Sequence, residues 1–268
     1  MRLSTGLSSF CLCALVTSRV CAPGNLEAAR WETYETPVGP SQRFELTDGD
    51  SVDLNTDTRL RAFIGAHSRV LLLERGEAFF RAQGAPLRVN VRDFSIGADK
   101  ASFSVRNYAG GDVDVMALSG RIRIDFAPVM PSDSSRLAHK VSRFLPAGQI
   151  ASVHLGIVSV RTIGRANIQS KLLWRHGMLE FVGEPLDHVA AEFNRYSRTR
   201  LVIDDESIRH FRVGGRFSAF DLDGLVATIS KIFALHAQTR LTASGQVVGL
   251  RLDRPVPIAT DVRVPIEQ

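Results

Sequence analysis

The sequence predicts two regions of different fold class: an antiparallel all-β roll or solenoid-like domain and, after it, a small α+β module with a repeated β-α-β pattern. Three observations predict this arrangement. Short apolar alternations recur about every ten residues in the first half, with turn residues between them. From residue 173 onward, apolar residues follow helical spacing instead. In that second half, one strand-and-helix pattern occurs twice at a shift of 36 residues, which indicates a repeated unit.

The first half consists of alternating runs that end in turn residues. Phe44 and Leu46 precede Asp48-Gly49. Asp-Gly between alternating runs is typical of a hairpin, because glycine adopts positive φ without strain. A second turn is predicted at residues 74–76, between apolar runs at 70–73 and 78–80. Further strands are predicted at 87–91, 103–105, 113–115 and 122–126.

Two amphipathic helices are predicted in the second half. One face of the first carries Leu186, Val189, Ala190, Phe193 and Tyr196. The second repeats these offsets with Leu222, Leu225, Val226, Ile229 and Ile232. Strands are predicted around the helices at 178–181, 201–203, 215–217 and 247–252. Helices that alternate with short strands in this way indicate a small α+β module.

The chain is mildly basic, with a net charge of +5, and one segment supplies the excess. No Asp or Glu occurs between Ser134 and Leu179. The cations of this segment are Arg136, Lys140, Arg143, Arg161, Arg165, Lys171 and Arg175. The segment lacks the aromatic platforms and groove-reading helix of nucleic-acid binders, so no nucleic-acid partner is predicted. A solvated basic face, an acidic partner and anionic lipid head groups remain open.

No pattern of residues predicts catalysis, a cofactor or a metal ion. All three cysteines lie within the first 21 residues, which excludes a disulfide framework, a zinc ribbon or a cysteine nucleophile for the rest of the chain. Asp48, Asp50, Asp53 and Asp57 favour turns over a cation loop, because the order of calcium ligands is missing. The acidic triplet 204–206 favours helix capping over metal binding. The chain is therefore not expected to be an enzyme.

Residues 1–30 are typical of a signal peptide or of a residual membrane anchor. Arg2 precedes a short apolar run at 10–16, and small residues follow at 20–22. Cleavage after Ala22 would remove every cysteine, which fits an oxidising compartment. We therefore expect a periplasmic protein, either released or tethered to the inner membrane by its N-terminus.

The chain resembles the FecR family of sigma-factor regulators in bacterial cell-surface signalling. The most specific segment, residues 69–80 (RVLLLERGEAFF), is close to the family's R-x-V-x-L-x-x-G-E-A-F-F block. Segments 36–39, 44–55, 115–122 and 145–149 resemble other blocks of the family. The second half is similar to the short β-α-β module shared by secretins and TonB-dependent receptors. Its matches are Trp174, Gly177, Leu179, Phe181, Leu186, Asn194-Arg195-Tyr196, Gly215 and Phe217.

The resemblance implies a division of the chain into domains. A FecR-like β domain spans 31–130, and a basic connecting segment with strands spans 131–172. The secretin/TonB-like α+β module covers 173–254, and a C-terminal tail follows at 255–268. Family members begin with a cytoplasmic helical domain and one membrane span, whereas about thirty residues precede the β region here.

The resemblance also implies a function that depends on binding. It implies a periplasmic regulator of an extracytoplasmic-function sigma factor, which relays the state of a TonB-dependent outer-membrane receptor in iron or siderophore signalling. The direct partner would be the receptor's periplasmic signalling domain. The alternative is a periplasmic adaptor or scaffold that has lost the anti-sigma domain.

We place the predicted partner-binding site on the second half of the chain. An edge strand accepts a further strand, and arginine and aromatic residues are common anchors of interfaces. The candidate residues are Leu201, Ile203, Arg209, Phe211, Arg212 and Arg216. Burial of Phe211, with the arginines merely solvated, is the alternative.

Overall fold

The computed structural model describes residues 30–46, 49–65, 68–126, 141–155, 157–243 and 245–252. These residues form eighteen strands and three α-helices. The predicted tail 255–268 and residues 1–29 of the predicted signal peptide or anchor lie outside the described residues. Among the described residues, no helix has the length and apolar character needed to cross a bilayer.

The first ten strands occupy most of the predicted β domain. They are β1 (Arg30–Thr36), β2 (Gln42–Glu45), β3 (Ser51–Leu54), β4 (Thr58–Gly65), β5 (Ser68–Ala82), β6 (Leu87–Val91), β7 (Phe94–Ala98), β8 (Ala101–Asn107), β9 (Val113–Ser119) and β10 (Arg121–Phe126). The segment predicted as a basic connection supplies β11 (Val141–Pro146), β12 (Gln149–His154), β13 (Ile157–Thr162) and α1 (Arg165–Lys171).

The remaining elements follow a short 3-10 helix at Leu173–His176. They are β14 (Met178–Pro185), α2 (Leu186–Phe193), β15 (Arg200–Ile203), β16 (Arg212–Ser218), α3 (Leu222–Phe233), β17 (Leu235–Thr242) and β18 (Gly245–Leu252). A second 3-10 helix at Glu206–Ile208 lies between β15 and β16.

Strands β1 to β13 form one curled sheet. Its main path runs β11-β10-β7-β6-β5-β8-β9-β12-β13, and the pairs β1–β4 and β2–β3 branch from β5. Every pair is antiparallel except β5–β6, which is parallel. The predicted all-β character is therefore confirmed, with one departure from a purely antiparallel roll.

The predicted turn at residues 74–76 is wrong, because these residues continue β5, a strand of fifteen residues. Gly76 has φ +87°, and a Cβ at this position would lie 2.2 Å from Thr58 Oγ1, so only glycine fits. The strand bends here instead of ending. Its first part pairs with β4 and β6, and its second part pairs with β3 and β8.

Apolar residues that alternate along β5 divide the interior into two cores. Phe80 is fully buried and stacks on Phe103 at a ring distance of 5.0 Å. These two rings belong to the sheet core, which is built only from residues of β1–β13. Phe79, its neighbour on the opposite face of β5, packs into a different group of buried residues. We call that group the junction core.

The junction core joins the sheet to the C-terminal module. Phe79, Met116 and Ile150 enter it from β5, β9 and β12. The other buried members all come from residues 163–250, and they include Phe193 of α2 and Ile229 of α3. The predicted apolar face of α2 is therefore buried in the junction core, whereas that of α3 is buried only in part, because Ile232 is 66% exposed.

The C-terminal module consists of two small sheets and the two helices α2 and α3. Strands β14 and β16 pair antiparallel. Strand β18 lies between β15, to which it is parallel, and β17, to which it is antiparallel. Helices α2 and α3 begin at Leu186 and Leu222, the positions that the 36-residue shift predicts. The similarity of this module to the short β-α-β module of secretins and TonB-dependent receptors remains a prediction.

Candidate interaction site at the junction of the two regions

A buried polar network lies beside the junction core and is centred on Glu77 of β5. Glu77 Oε2 accepts hydrogen bonds from Asn55 Nδ2 at 2.9 Å and from Arg195 Nη2 at 3.0 Å. Asn55 Nδ2 also donates to Tyr196 Oη at 2.9 Å. Thr56 Oγ1 donates to the carbonyl oxygen of Arg195 at 2.9 Å. The loop after β3 and the turn after α2 are thereby joined through side chains of both regions.

Glu192, on the last turn of α2, extends this network to a third strand. Its carboxylate accepts from Arg195 Nη1 at 2.6 Å and from Arg106 Nη2, on β8, at 2.7 Å. Burial alone would raise the pKa of Glu192, but the guanidinium groups of Arg195 and Arg106 lower it to about 2. Glu192 is therefore ionised at neutral pH and bridges two cations from different regions.

The same charges act on their partners. Burial would lower the pKa of Arg195, yet Glu192 and Glu77 raise it above the ordinary arginine value. Burial also raises the pKa of Tyr196, so its hydroxyl stays protonated at neutral pH. Glu192, Arg195 and Tyr196 therefore each keep one protonation state across the physiological range.

A second ion pair joins the C-terminal module to β3, two residues from Asn55. Arg175 Nε, in the first 3-10 helix, donates to Asp53 Oδ2 of β3 at 2.5 Å. The Arg175 guanidinium also lies 4.1 Å from the ring centroid of Phe79. Both partners of the ion pair are largely buried, with side chains 16% and 10% exposed. Direct contacts therefore hold the C-terminal module at two separate places on the sheet.

Local sequence explains how these side chains are positioned. Gly76 sets the bend that precedes Glu77, and Thr58 Oγ1 accepts the Glu77 backbone N–H at 3.0 Å. On the other side, Asn194 follows α2 and anchors the start of the next strand. Its side chain donates to the carbonyl oxygen of Leu201 at 2.9 Å and accepts the N–H of Leu201 at 2.7 Å.

The structure separates the six predicted partner-binding residues into three settings. Leu201 is buried, and Ile203 packs partly against the junction core. The amide of Asn194 already occupies the N–H and C=O of Leu201, so the edge of β15 is closed at this residue. Phe211 is half-buried and packs on Phe233 at a ring distance of 5.2 Å.

The three arginines of the predicted site are exposed. Arg209 pairs with Glu206 at 2.8 Å. Arg212 Nη1 donates to the carbonyl oxygen of Gly183 at 3.1 Å, and Arg216 Nε pairs with Glu180 at 2.7 Å. Arg212 and Arg216 are four residues apart on β16, and alternation along a strand puts them on one face. Of the three predicted arginines, Arg212 and Arg216 therefore share one exposed face.

The described members of the acidic clusters have other partners. Asp50 Oδ1 accepts the backbone N–H groups of Gln83 and Gly84, and Asp57 pairs with Arg75. In the triplet 204–206, Asp204 pairs with Arg240 and Asp205 accepts the N–H of Ser207. Throughout the described part of the chain, no group of three His, Cys, Asp or Glu residues has the geometry of a metal site.

Comparison with known families identifies the first region. Residues 32–123 match the model of the family described as FecR protein. These residues form a FecR domain. The FecR domain contains β2 to β9 and parts of β1 and β10, together with the junction residues Asn55 and Glu77. A comparison with curated proteins gives no match.

Solved structures extend the likeness beyond the FecR domain. A crystal structure at 1.65 Å of a proposed anti-sigma factor from Parabacteroides distasonis aligns with a TM-score of 0.63 and 22% identity. The match covers 83% of this chain and 100% of that chain. A second structure of a proposed anti-sigma factor from the same organism, at 2.50 Å, gives 0.61 and 21%, with 82% and 99% coverage. At this identity the likeness shows a shared fold.

Four of the network residues lie in segments that the sequence had singled out for their resemblance to known modules. These are Asn55, Glu77, Arg195 and Tyr196. What the sequence does not reveal is that they touch, because Asn55 and Tyr196 are separated by 141 positions. Arg106 and Glu192 fall outside every quoted match, and no local pattern would have found them.

Proposed function

We propose that the protein regulates a sigma factor through protein–protein binding. The observation that carries this proposal is the FecR domain at residues 32–123. The fold shared with the proposed anti-sigma factors from Parabacteroides distasonis supports it. Regulation by binding needs a surface with two occupancy states and no reacting groups.

The finer proposal is a relay from a TonB-dependent outer-membrane receptor in iron or siderophore signalling. The receptor's periplasmic signalling domain would bind the C-terminal module, and the FecR domain would transmit the bound state. The junction supports this division of labour, because the junction core and two sets of ion pairs connect module and sheet. A contact on the module then changes the free energy of a unit that includes the FecR domain.

Deletion of the gene tests the regulatory proposal. We expect RNA sequencing to show a small set of transcripts that rise or fall together and share one promoter element. Reintroducing the intact gene should restore them. An unchanged transcriptome, under both iron-replete and iron-limited growth, would contradict sigma-factor regulation.

A pull-down with receptor signalling domains tests the placement of the partner. The double variant Arg212→Glu, Arg216→Glu reverses two exposed charges on one face of β16 and should weaken capture at least tenfold. Arg88→Glu with Arg198→Glu, at exposed positions elsewhere, reverses the same amount of charge and serves as the control. Equal capture by all three proteins would exclude this face as the contact. Phe211 is unsuitable as a probe, because its ring packs on Phe233.

The adaptor or scaffold is the second candidate, and the same two experiments distinguish it. It predicts capture of the receptor domain without a change in any coordinated set of transcripts. The periplasmic location of either protein is tested by fractionation with mass spectrometry of the mature N-terminus. A chain that begins at Pro23 in the periplasmic fraction would support export, and an intact chain in the cytoplasmic fraction would refute it.

A further inference from the structure

A cleft of about 530 Å³ lies along the junction, between the sheet and the C-terminal module. We call it the junction cleft. Its apolar wall includes Met116, Ile150, Ile163, Leu179, Phe181 and Trp174. We propose that the junction cleft binds an extended, acidic peptide segment of a partner protein, which adds as a short strand beside β14. This inference concerns a partner's chemistry and does not depend on which protein supplies the segment.

The cleft runs along an unpaired strand edge. The consecutive residues 179–182 of β14 all line it, although neighbouring residues of a strand point to opposite faces. A single cleft can contact side chains on both faces of a strand only if the cleft lies along the edge of that strand. Strand β16 occupies the other edge of β14 and contributes no residue to the cleft. The bordering edge is therefore the one without a partner among the described strands.

The length of this open edge favours a short segment. The carboxylate of Glu184 accepts the backbone N–H of Val182 and closes the edge there. The backbone before Val182 stays available for pairing with an incoming strand. On the opposite side of the cleft, Arg161 and Ile163 lie on and after β13, which is itself the last strand of the large sheet.

Among the described charged groups that line the cleft, those with neither a hydrogen bond nor an ion pair are cations. All five lining carboxylates have partners within the protein. Glu77 and Glu192 bind the junction arginines, Asp114 accepts from Tyr108, Glu180 pairs with Arg216 and Glu184 accepts from Val182. By contrast, the exposed cations Arg161 and Lys171 line the cleft and have no ion pair with a described residue. Beside Arg161 and Lys171, charge complementarity therefore favours acidic side chains on the incoming segment.

The indole N–H of Trp174 provides independent evidence that the cleft binds a group that accepts a hydrogen bond. It lines the cleft and is 3% exposed, and its indole Nε1–H has no hydrogen-bond partner among the described residues. A buried indole N–H normally finds an acceptor. A backbone carbonyl of a bound segment would provide one. Arg161 and Lys171 belong to the segment between Ser134 and Leu179 that contains no Asp or Glu. Binding of an acidic peptide would give these two cations a function.

Tryptophan fluorescence tests this proposal directly, because the chain has two tryptophans. The variant Trp31→Phe, at a half-exposed position, leaves Trp174 as the sole reporter. The probe is a capped hexapeptide of alternating Glu and Val, and its counterpart of alternating Lys and Val is the control. We expect a saturable change in Trp174 emission with the glutamate peptide, weakened by added salt, and none with the lysine peptide.

Charge variants in the same background establish the place of binding. Arg161→Ser with Lys171→Ser should weaken binding at least tenfold. Arg88→Ser with Arg198→Ser removes the same charge from exposed positions elsewhere and should leave binding unchanged.

No saturable response, equal binding of the lysine peptide, or equal effects of the two double variants would overturn the proposal. So would a Trp174 response to phosphatidylglycerol vesicles but not to the glutamate peptide, since that outcome assigns the cations to a membrane. Neither the sigma factor nor the receptor is needed, so this result is separate from that of the proposed function.

Discussion

The sheet core and the junction core differ in which regions of the chain supply their buried residues. The sheet core is built entirely by strands β1 to β13, and rings such as Phe80 and Phe103 fill it without help from outside the sheet. The junction core takes only Phe79, Met116 and Ile150 from the sheet and everything else from residues 163–250. Its polar boundary consists of ion pairs that cross between the regions. The comparison teaches that the C-terminal module depends on the sheet more than the sheet depends on the module.

The strongest test of this dependence weakens the sheet core alone. Phe80→Ala should lower the free energy of unfolding by about 3 to 5 kcal/mol, because it opens a cavity beside Phe103. If the module relies on the sheet, Trp174 fluorescence in the Trp31→Phe background and far-UV circular dichroism should shift to the same lower denaturant midpoint. Leu241→Ala, at a side chain 86% exposed, should change the midpoint little. A Trp174 transition that stays at the wild-type midpoint would show two independent units.

The next test removes a charge from the junction. Arg195→Ala should cost about 3 kcal/mol, because Glu192 and Glu77 lose a buried cation that both of them bind. Arg209→Ala breaks an exposed ion pair with Glu206 and should cost less than about 1 kcal/mol. Chemical denaturation of the two variants measures both values. A loss for Arg195→Ala no larger than that for Arg209→Ala would mean that the polar boundary contributes no more than a surface pair.

The smallest expected effect is also the most specific, because it depends on pH. The pKa of Glu192 is lowered to about 2, below the ordinary value of 4.5, so ionisation of this carboxylate stabilises the folded protein above about pH 4.5. That contribution, on the order of 2 to 3 kcal/mol, is lost as the pH falls toward 2. Glu192→Gln should therefore be less stable than wild type at pH 6, and the difference should shrink between pH 4.5 and 2. If the difference in stability between wild type and Glu192→Gln does not vary with pH, the ion pairs of Glu192 do not account for it.

Local pattern was enough to predict much of the fold. The alternating runs predict strands such as β6 and β8, and the 36-residue shift predicts the starts of α2 and α3 at Leu186 and Leu222. The bend at Gly76 was predicted as a turn, since glycine marks turns and bends alike. The parallel pairing of β5 with β6 has no signature in a single strand.

The candidate site was much less predictable, because it depends on contacts between distant positions. Arg106 and Glu192 are separated by 86 positions, and neither lies in a recognisable motif. The sequence placed the arginines of β16 in the predicted site, but it did not show that Phe211 packs on Phe233. Sequence periodicity describes which face of an element is buried, and it says nothing about which other element covers that face.

The two outer strands of the small three-stranded sheet differ in a way that limits how copies of it can associate. The side chain of Asn194 saturates the backbone of Leu201 on β15, whereas on β17 all of residues 236–242 are exposed. As far as the described residues go, a further strand can therefore join this sheet at full length on the β17 side only. If two copies pair through their β17 strands, neither copy has a free edge left on this sheet. Association by this route therefore stops at a dimer and cannot extend into a fibre.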